Sequence, residues 1–132
     1  MKRDMDLIRE LMLELEALSV PSTDIILIAP DAIAVEGYDT QQIDYHLQLL
    51  AQAGLVDAGG ADGCGMRAGP GIAFRSLSWA GHDFLDAVRE QDVWEKTKAA
   101  AAKVGGYTVD ILIAAAKAYV QQKITEFVHG PH

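Results

Sequence analysis

The side chains best suited to covalent or acid–base chemistry are few and scattered. Cys64 is the single cysteine of the chain and sits in the glycine-rich run AGGADGCGMRAGPG, with no neighbouring histidine or second cysteine to activate it. It reads as an ordinary exposed thiol, and a lone cysteine makes no internal disulfide. Of the four histidines, His46, His82, His129 and His132, only the last two stand at ligand-like spacing, in the terminal HGPH. A metal site needs ordered ligands and a second shell, so a frayed tail is the simpler meaning. The glycines between Gly59 and Gly71 have no GK[ST] ending, and no G-x-G-x-x-G opens a helix, so they are not a phosphate loop. The expectation is no catalytic residue, no metal site, no cofactor and no enzyme activity.

The chemistry the sequence does offer is hydrogen-bonding recognition, concentrated in YDTQQIDYHLQLLAQAGLV, Tyr38 to Val56. Ile43, Leu47 and Leu50 recur at helical spacing as a buried stripe, with Leu49 and Ala53 at its margin. Asp39 or Thr40 caps the start, and Gly54 takes the left-handed conformation that closes the helix. Gln41, Gln42, Asp44, Tyr45, Gln48 and Gln52 are left facing outward. Amides of the Gln41, Gln42 and Gln48 type can bond an adenine edge in a DNA major groove, and Tyr45 or His46 can touch phosphate or base. For His46 a half-buried structural role stays equally open.

The surrounding elements must position that helix. Leu7, Ile8, Leu11, Met12, Leu15 and Leu18 fall at three- and four-residue spacings and predict a first helix over Asp4–Leu18, with Arg9, Glu10, Glu14 and Glu16 on a solvated side. Pro21, Ser22 and Thr23 end it. DIILIAP then reads as a short strand broken by Pro30, and Ala32–Val35 as a second short apolar stretch, one or both being strands. Leu55 and Val56 begin another strand. Beyond the glycine-rich loop, Ile72, Phe74, Leu77 and Trp79 mark a return strand. Helix, strand, flexible loop, strand is the order of a winged helix.

Those residues carry a resemblance. IDYHLQLLAQAGLV resembles the recognition helix and first wing strand of small winged helix-turn-helix regulators of the arsenic-repressor type, and LSWAGHDFL is similar to their wing-to-helix segment. The whole chain also resembles a bacterial and prophage family of unknown function whose members open with MKRDMDLIR, carry a YHLQLLAQAGL-like helix and continue with a WAGHDFLDAVREQDVW-like segment. The resemblance implies a winged-helix fold and a DNA-binding, transcription-regulator-like protein of bacterial or phage origin. Its reading surface would be Gln41, Gln42, Asp44, Tyr45, His46 and Gln48, with Arg67 and Arg75 as wing contacts to phosphate on double-stranded DNA.

Charge sets a competing expectation. Acidic residues outnumber basic ones 19 to 11, for a formal charge of −8, and a field of that sign repels phosphate backbones and anionic membranes. No Lys or Arg occurs between Arg9 and Arg67, so phosphate contacts would fall to Lys2, Arg3, Arg67 and Arg75. The alternative is an acidic winged-helix module that binds a protein partner and not DNA.

In the C-terminal half, Phe84, Leu85, Val88 and Trp94 line the buried side of a long helix that continues through Ala99–Ala102 to the stop at Gly105 and Gly106. Trp79 and Trp94 read as core anchors. A last helix over Thr108–Val128 carries Val109, Ile113, Ala116, Val120, Ile124 and Phe127 at nearly heptad spacing, widened by Ile111, Leu112, Ala115 and Tyr119. That stripe either packs on its own domain or pairs two copies as a homodimer.

The chain is 132 residues long and 50% hydrophobic, which fits one folded domain. The expected fold is α+β, a winged-helix-like domain over 1–132 with its core at 1–80 and a C-terminal helical extension at 81–132. No apolar run reaches membrane-spanning length, the N-terminus MKRDMDLIRE is too charged for a signal peptide, and one cysteine fits a reducing compartment, so the expected location is cytoplasmic.

Overall fold

α1 (Met5–Glu16) forms because Leu7, Ile8, Leu11, Met12 and Leu15 recur every three or four residues, and all five are buried. Asp4 is its N-cap: carboxylate Oδ1 accepts the N–H of Asp6 at 2.9 Å and that of Leu7 at 3.4 Å. The computed structural model describes residues 1–60 and 69–128. The expectations placed on Cys64, Arg67, His129 and His132 lie outside these residues. Arg9, expected on the solvated side, is buried, with its guanidinium 3.3 Å from the Glu10 carboxylate. A long aliphatic stem lets that charge lie along the apolar face while keeping a carboxylate partner.

After α1 only the first of the two short apolar stretches becomes a strand. Pro30 has no N–H to give a ladder and opens one 3-10 turn, Pro30–Ala32, closed by the Ala32 N–H on the Ala29 carbonyl at 3.0 Å. Ala32–Val35 therefore forms no strand. β1 (Ile26–Ile28) pairs antiparallel with β3 (Ile72–Phe74), Ile26 opposite Phe74 and Ile28 opposite Ile72. β2 (Val56–Asp57) pairs with β4 (Ser76–Leu77). The expected return strand is thus divided at Arg75: its first half serves β1 and its second half β2. The Arg75 N–H to the Asp57 carbonyl (2.8 Å) and the Ser78 N–H to the Leu55 carbonyl (3.1 Å) extend the second pairing at both ends.

Between these strands in sequence lies α2 (Thr40–Gln52). Asp39 and Gln42 form a capping box, each side chain bonding the other's backbone N–H, at 2.8 and 2.9 Å. At the far end Gly54 has φ +71°. Its N–H bonds the Ala51 carbonyl, and the Leu55 N–H reaches back to Leu50 at 3.0 Å, which closes the helix in a Schellman turn and aims the chain into β2. Ile43, Leu47 and Leu50 are buried as the stripe requires.

The chain divides into two units, Met1–His82 and Asp83–His132, with the boundary inside α3 (Trp79–Val88). In the first unit α1, α2 and the strands enclose Leu11, Leu15, Leu47, Leu50, Ile72 and Phe74. Trp79, expected as a core anchor, is 85% exposed at the first position of α3. In the second unit the expected long helix is interrupted at Arg89 and Glu90, and α4 (Gln91–Val104) starts afresh with Glu90 extended as its N-cap. Phase explains the break. After Phe84, Leu85 and Val88 an unbroken helix would next bury Gln91 or Asp92; restarting brings Trp94, Thr97 and Ala101 inward instead. Trp94 then meets Phe84 edge-to-face at 6.5 Å, as a core anchor. α5 (Val109–Val128) packs against α4. The architecture is α+β, with helices and two small antiparallel sheets among the described residues.

Gly71 has φ +86° and passes so close to β1 that an added Cβ would run into the Ile28 carbonyl oxygen. A Gly71→Ala variant is expected to lose about 2–4 kcal/mol of stability, through backbone strain and the broken β1–β3 approach, in urea unfolding followed by circular dichroism.

Candidate functional site

The face of α2 opposite its apolar stripe is the surface on which recognition is expected, and the structure divides it into committed and available groups. Asp44 is committed: its Oδ1 accepts the Gly71 N–H at 2.6 Å. Gln48, one turn later, donates from Nε2 to the Gly71 carbonyl at 2.6 Å. Both therefore hold the entry to β3 and do not face outward as the periodicity implies. The i, i+4 spacing places them one above the other, so one glycine's N–H and C=O are met together.

His46 is 2% exposed. Its Nε2 accepts the backbone N–H of Asp4 at 2.8 Å, and its Nδ1 lies 2.8 Å from the Gln42 carbonyl. A backbone N–H only donates and a carbonyl only accepts, so the ring carries its proton on Nδ1. The Tyr45 ring stands edge-on to it at 5.4 Å. His46 is a structural strut between α1 and α2; this burial removes it from the expected reading surface.

Tyr38 completes the same cluster. Its hydroxyl donates to Asp4 Oδ2 at 2.7 Å. That bond to the carboxylate, then burial, then the neighbouring negative charges of Asp4, Asp6 and Glu10 push the phenol up from 10.0 to about 12. Sequence reasoning missed Asp4 as the shared partner of His46 and Tyr38. The N-cap position of Asp4 signals half of its role, but nothing local reports a bond across forty-two positions of chain.

Arg75, expected as a wing contact, donates from Nη2 to Asp57 Oδ2 at 2.6 Å. Asp57 also accepts the Gly59 N–H at 2.7 Å; that bond first, and the guanidinium second, hold its carboxyl below the usual 3.8. The pair crosses from β2 to the divided return strand, beside the backbone bond from the Arg75 N–H to the Asp57 carbonyl. Of the expected surface, Gln41 is exposed, Gln42 is half-buried in the capping box, and Tyr45 is half-buried; Gln52, outside the expected reading set, is exposed. Among the described residues no group of three or more His, Cys, Asp or Glu is gathered to hold a metal ion, and no single helix is long and apolar enough to cross a membrane.

With the α+β architecture and this face in hand, the chain can be placed among known proteins. It belongs to the family described as "Hypothetical protein (DUF2513)", whose model matches residues 2–108. It is also similar to a protein of Haemophilus influenzae strain Rd named "Uncharacterized protein", 33% identical over 128 residues that span 97% of this chain and 99% of that one. No solved structure matches the chain.

The Tyr38 bond sets a pH dependence. Because folding raises this pKa, the stabilisation is complete below about pH 10 and is lost as pH climbs towards about 12, where ionisation would set two negative oxygens together. A Tyr38→Phe variant is expected to be about 1–2 kcal/mol less stable at neutral pH, and the gap to wild type to close above pH 10. Urea unfolding of both proteins between about pH 7 and pH 11.5 measures it.

Proposed function

We propose that the chain is a winged-helix-like protein-interaction module that does not bind DNA, with Gln41, Tyr45 and Gln52 of α2 in its contact surface. The order of the described elements supports the winged-helix reading: α1, β1, a 3-10 turn, α2, β2, and a return strand that pairs with both β1 and β2. The observation that carries the functional reading is what α2 presents. It brings no cation, and the Asp44–Gln48 pair that would read bases is spent on Gly71. DNA affinity rests on cations that displace condensed counterions. The Arg75 guanidinium is already paired with Asp57, and the chain as a whole carries −8. A mixed amide and aromatic face on a rigid helix fits a protein surface, where Tyr supplies contact area at low entropic cost.

A DNA-binding, regulator-like role is the second reading, and one observation favours it. The Asp4 N–H bond to His46 fixes the N-terminal segment beside α2, so Lys2 and Arg3 immediately precede a residue held against that helix. Gln41, Gln42 and Tyr45 would then be the base-reading groups.

Fluorescence anisotropy of a labelled duplex at about 50 mM and about 200 mM salt separates the two, because non-specific binders have dissociation constants of roughly 1–100 µM and strong salt dependence. The interaction reading expects no binding in that range at either salt. Salt-weakened binding that is lost on Lys2→Ala, Arg3→Ala substitution overturns it. In parallel, affinity capture from bacterial lysate is expected to retain a protein on the wild type that is absent from a Gln41→Ala, Tyr45→Ala variant; identical captures count against α2 as the contact surface.

A further inference from the structure

Among the described residues His46 is the buried histidine, whereas His82 is exposed. The His46 ring spends both nitrogens on backbone: Nδ1–H is given to the Gln42 carbonyl and Nε2 takes the Asp4 N–H, each at 2.8 Å. The second bond exists only with the neutral ring, because an imidazolium carries N–H at both nitrogens and accepts nothing. A proton at Nε2 and the Asp4 N–H thus compete for one lone pair, and gaining the first means losing the second. Two N–H groups would then face each other across a site nearly closed to water, an arrangement relieved by moving the N-terminal segment.

The charges around this cluster are mostly acidic. The Asp4 carboxylate is joined by Asp6 and Glu10 of α1, all three acting on the Tyr38 phenol, and Arg9 lies against Glu10. α2 contributes its N-cap Asp39, Asp44, whose Oδ1 is held by the Gly71 N–H, and Tyr45, edge-on to His46 at 5.4 Å. Of the other elements packed on α2, the 3-10 turn adds the exposed Asp31, β2 adds Asp57, which is paired with Arg75, and β3 adds no titratable group. A charged ring can therefore stay seated beside carboxylates while the N–H is expelled. We propose that this arrangement is an acid-operated latch: protonation of His46 frees the Asp4 backbone N–H, loosens residues 1–4 from α2 and shifts Tyr45, which leans on the ring. The proton comes from solvent and goes to Nε2; the Nδ1–H bond to Gln42 is kept, so the ring remains tied to its own helix. Tyr45 belongs to the proposed contact surface, so the latch adjusts that surface with pH. This last step rests on the interaction reading of α2; the latch itself does not.

NMR of the full chain, labelled with 15N and 13C, tests the latch without any partner between about pH 8 and pH 5, where histidine side chains ordinarily change charge. At the upper end His46 is expected to show the Nδ1–H tautomer. On acidification the ring and the Asp4 amide are expected to change with one midpoint. Hydrogen exchange at the Asp4 amide, corrected for its intrinsic pH dependence, is expected to accelerate at least about tenfold, while the amides of Leu11 and Leu47 stay protected. Asp4→Asn separates this from titration of the Asp4 carboxyl: asparagine caps a helix comparably and keeps the N–H, so the coupled change is expected to persist. His46→Gln, which gains no proton in this range, is expected to remove it, with far-UV circular dichroism as the check on helix content. A ring that charges while the Asp4 amide stays protected overturns the latch. So does a ring that stays neutral down to about pH 5, or a transition that disappears in Asp4→Asn. Tyr45 ring resonances are expected to move with the same midpoint; if they stay fixed while the Asp4 amide is released, the latch stands and its link to the contact surface is overturned.

Discussion

Asp4 is the residue on which the first unit depends, because each of its polar groups ties a different segment. Oδ1 caps α1, Oδ2 receives the Tyr38 hydroxyl, and the backbone N–H is given to His46 on α2. A helix N-terminus leaves backbone N–H groups without helical partners, and here one of the flanking N–H groups becomes the donor that fixes another helix. The pairing also fixes His46, whose other nitrogen is held by the Gln42 carbonyl one turn earlier. α1 and α2 are therefore oriented by directional bonds as well as by the apolar packing between them, which by itself does not specify register.

The same economy governs the other side of α2. Asp44 and Gln48 bond one glycine's N–H and C=O, and that glycine is where the backbone passes too close to β1 for any side chain. The chain entering β3 is thus held from two sides, by β1 through backbone proximity and by α2 through side chains. A helix whose polar residues anchor a neighbouring strand has fewer left for external recognition. The structure resolves that competition in favour of the fold at Asp44, Gln48 and His46. Gln41, Tyr45 and Gln52 are what remain.

Periodicity made the helices legible. α1 and α2 have full apolar stripes and clear caps, and Asp39 with Gln42 three residues on is a local signal that survives into the structure as a capping box. Strand pairing was less legible. β1 and β3 stand far apart in sequence, and the division of the return strand at Arg75 depends on two partners that no local pattern reveals. The break in the C-terminal helix is not legible in the sequence, because Gln91 and Asp92 look like surface decoration; they mark where apolar phase is lost and the helix restarts. Trp79 misled for a related reason: an aromatic at the junction of strand and helix is equally consistent with the core and with the surface until the first turn of α3 fixes its direction. For the candidate site, the residue types were read from sequence, but their engagement was not. Polar residues on a helical face look solvent-directed until the segment that bonds them is known.

The acidic balance of the chain bears directly on what α2 can meet, since no cation on that helix offsets the long-range repulsion of a phosphate backbone and the chain carries −8 in all. That repulsion is screened beyond about 10 Å at 0.1 M salt, so within that distance local groups decide. Arg75, the cation expected on the wing, is committed to Asp57 there. What α2 offers at short range is therefore amide and aromatic contact, and α2 lies wholly within residues 2–108, the stretch that the family model matches.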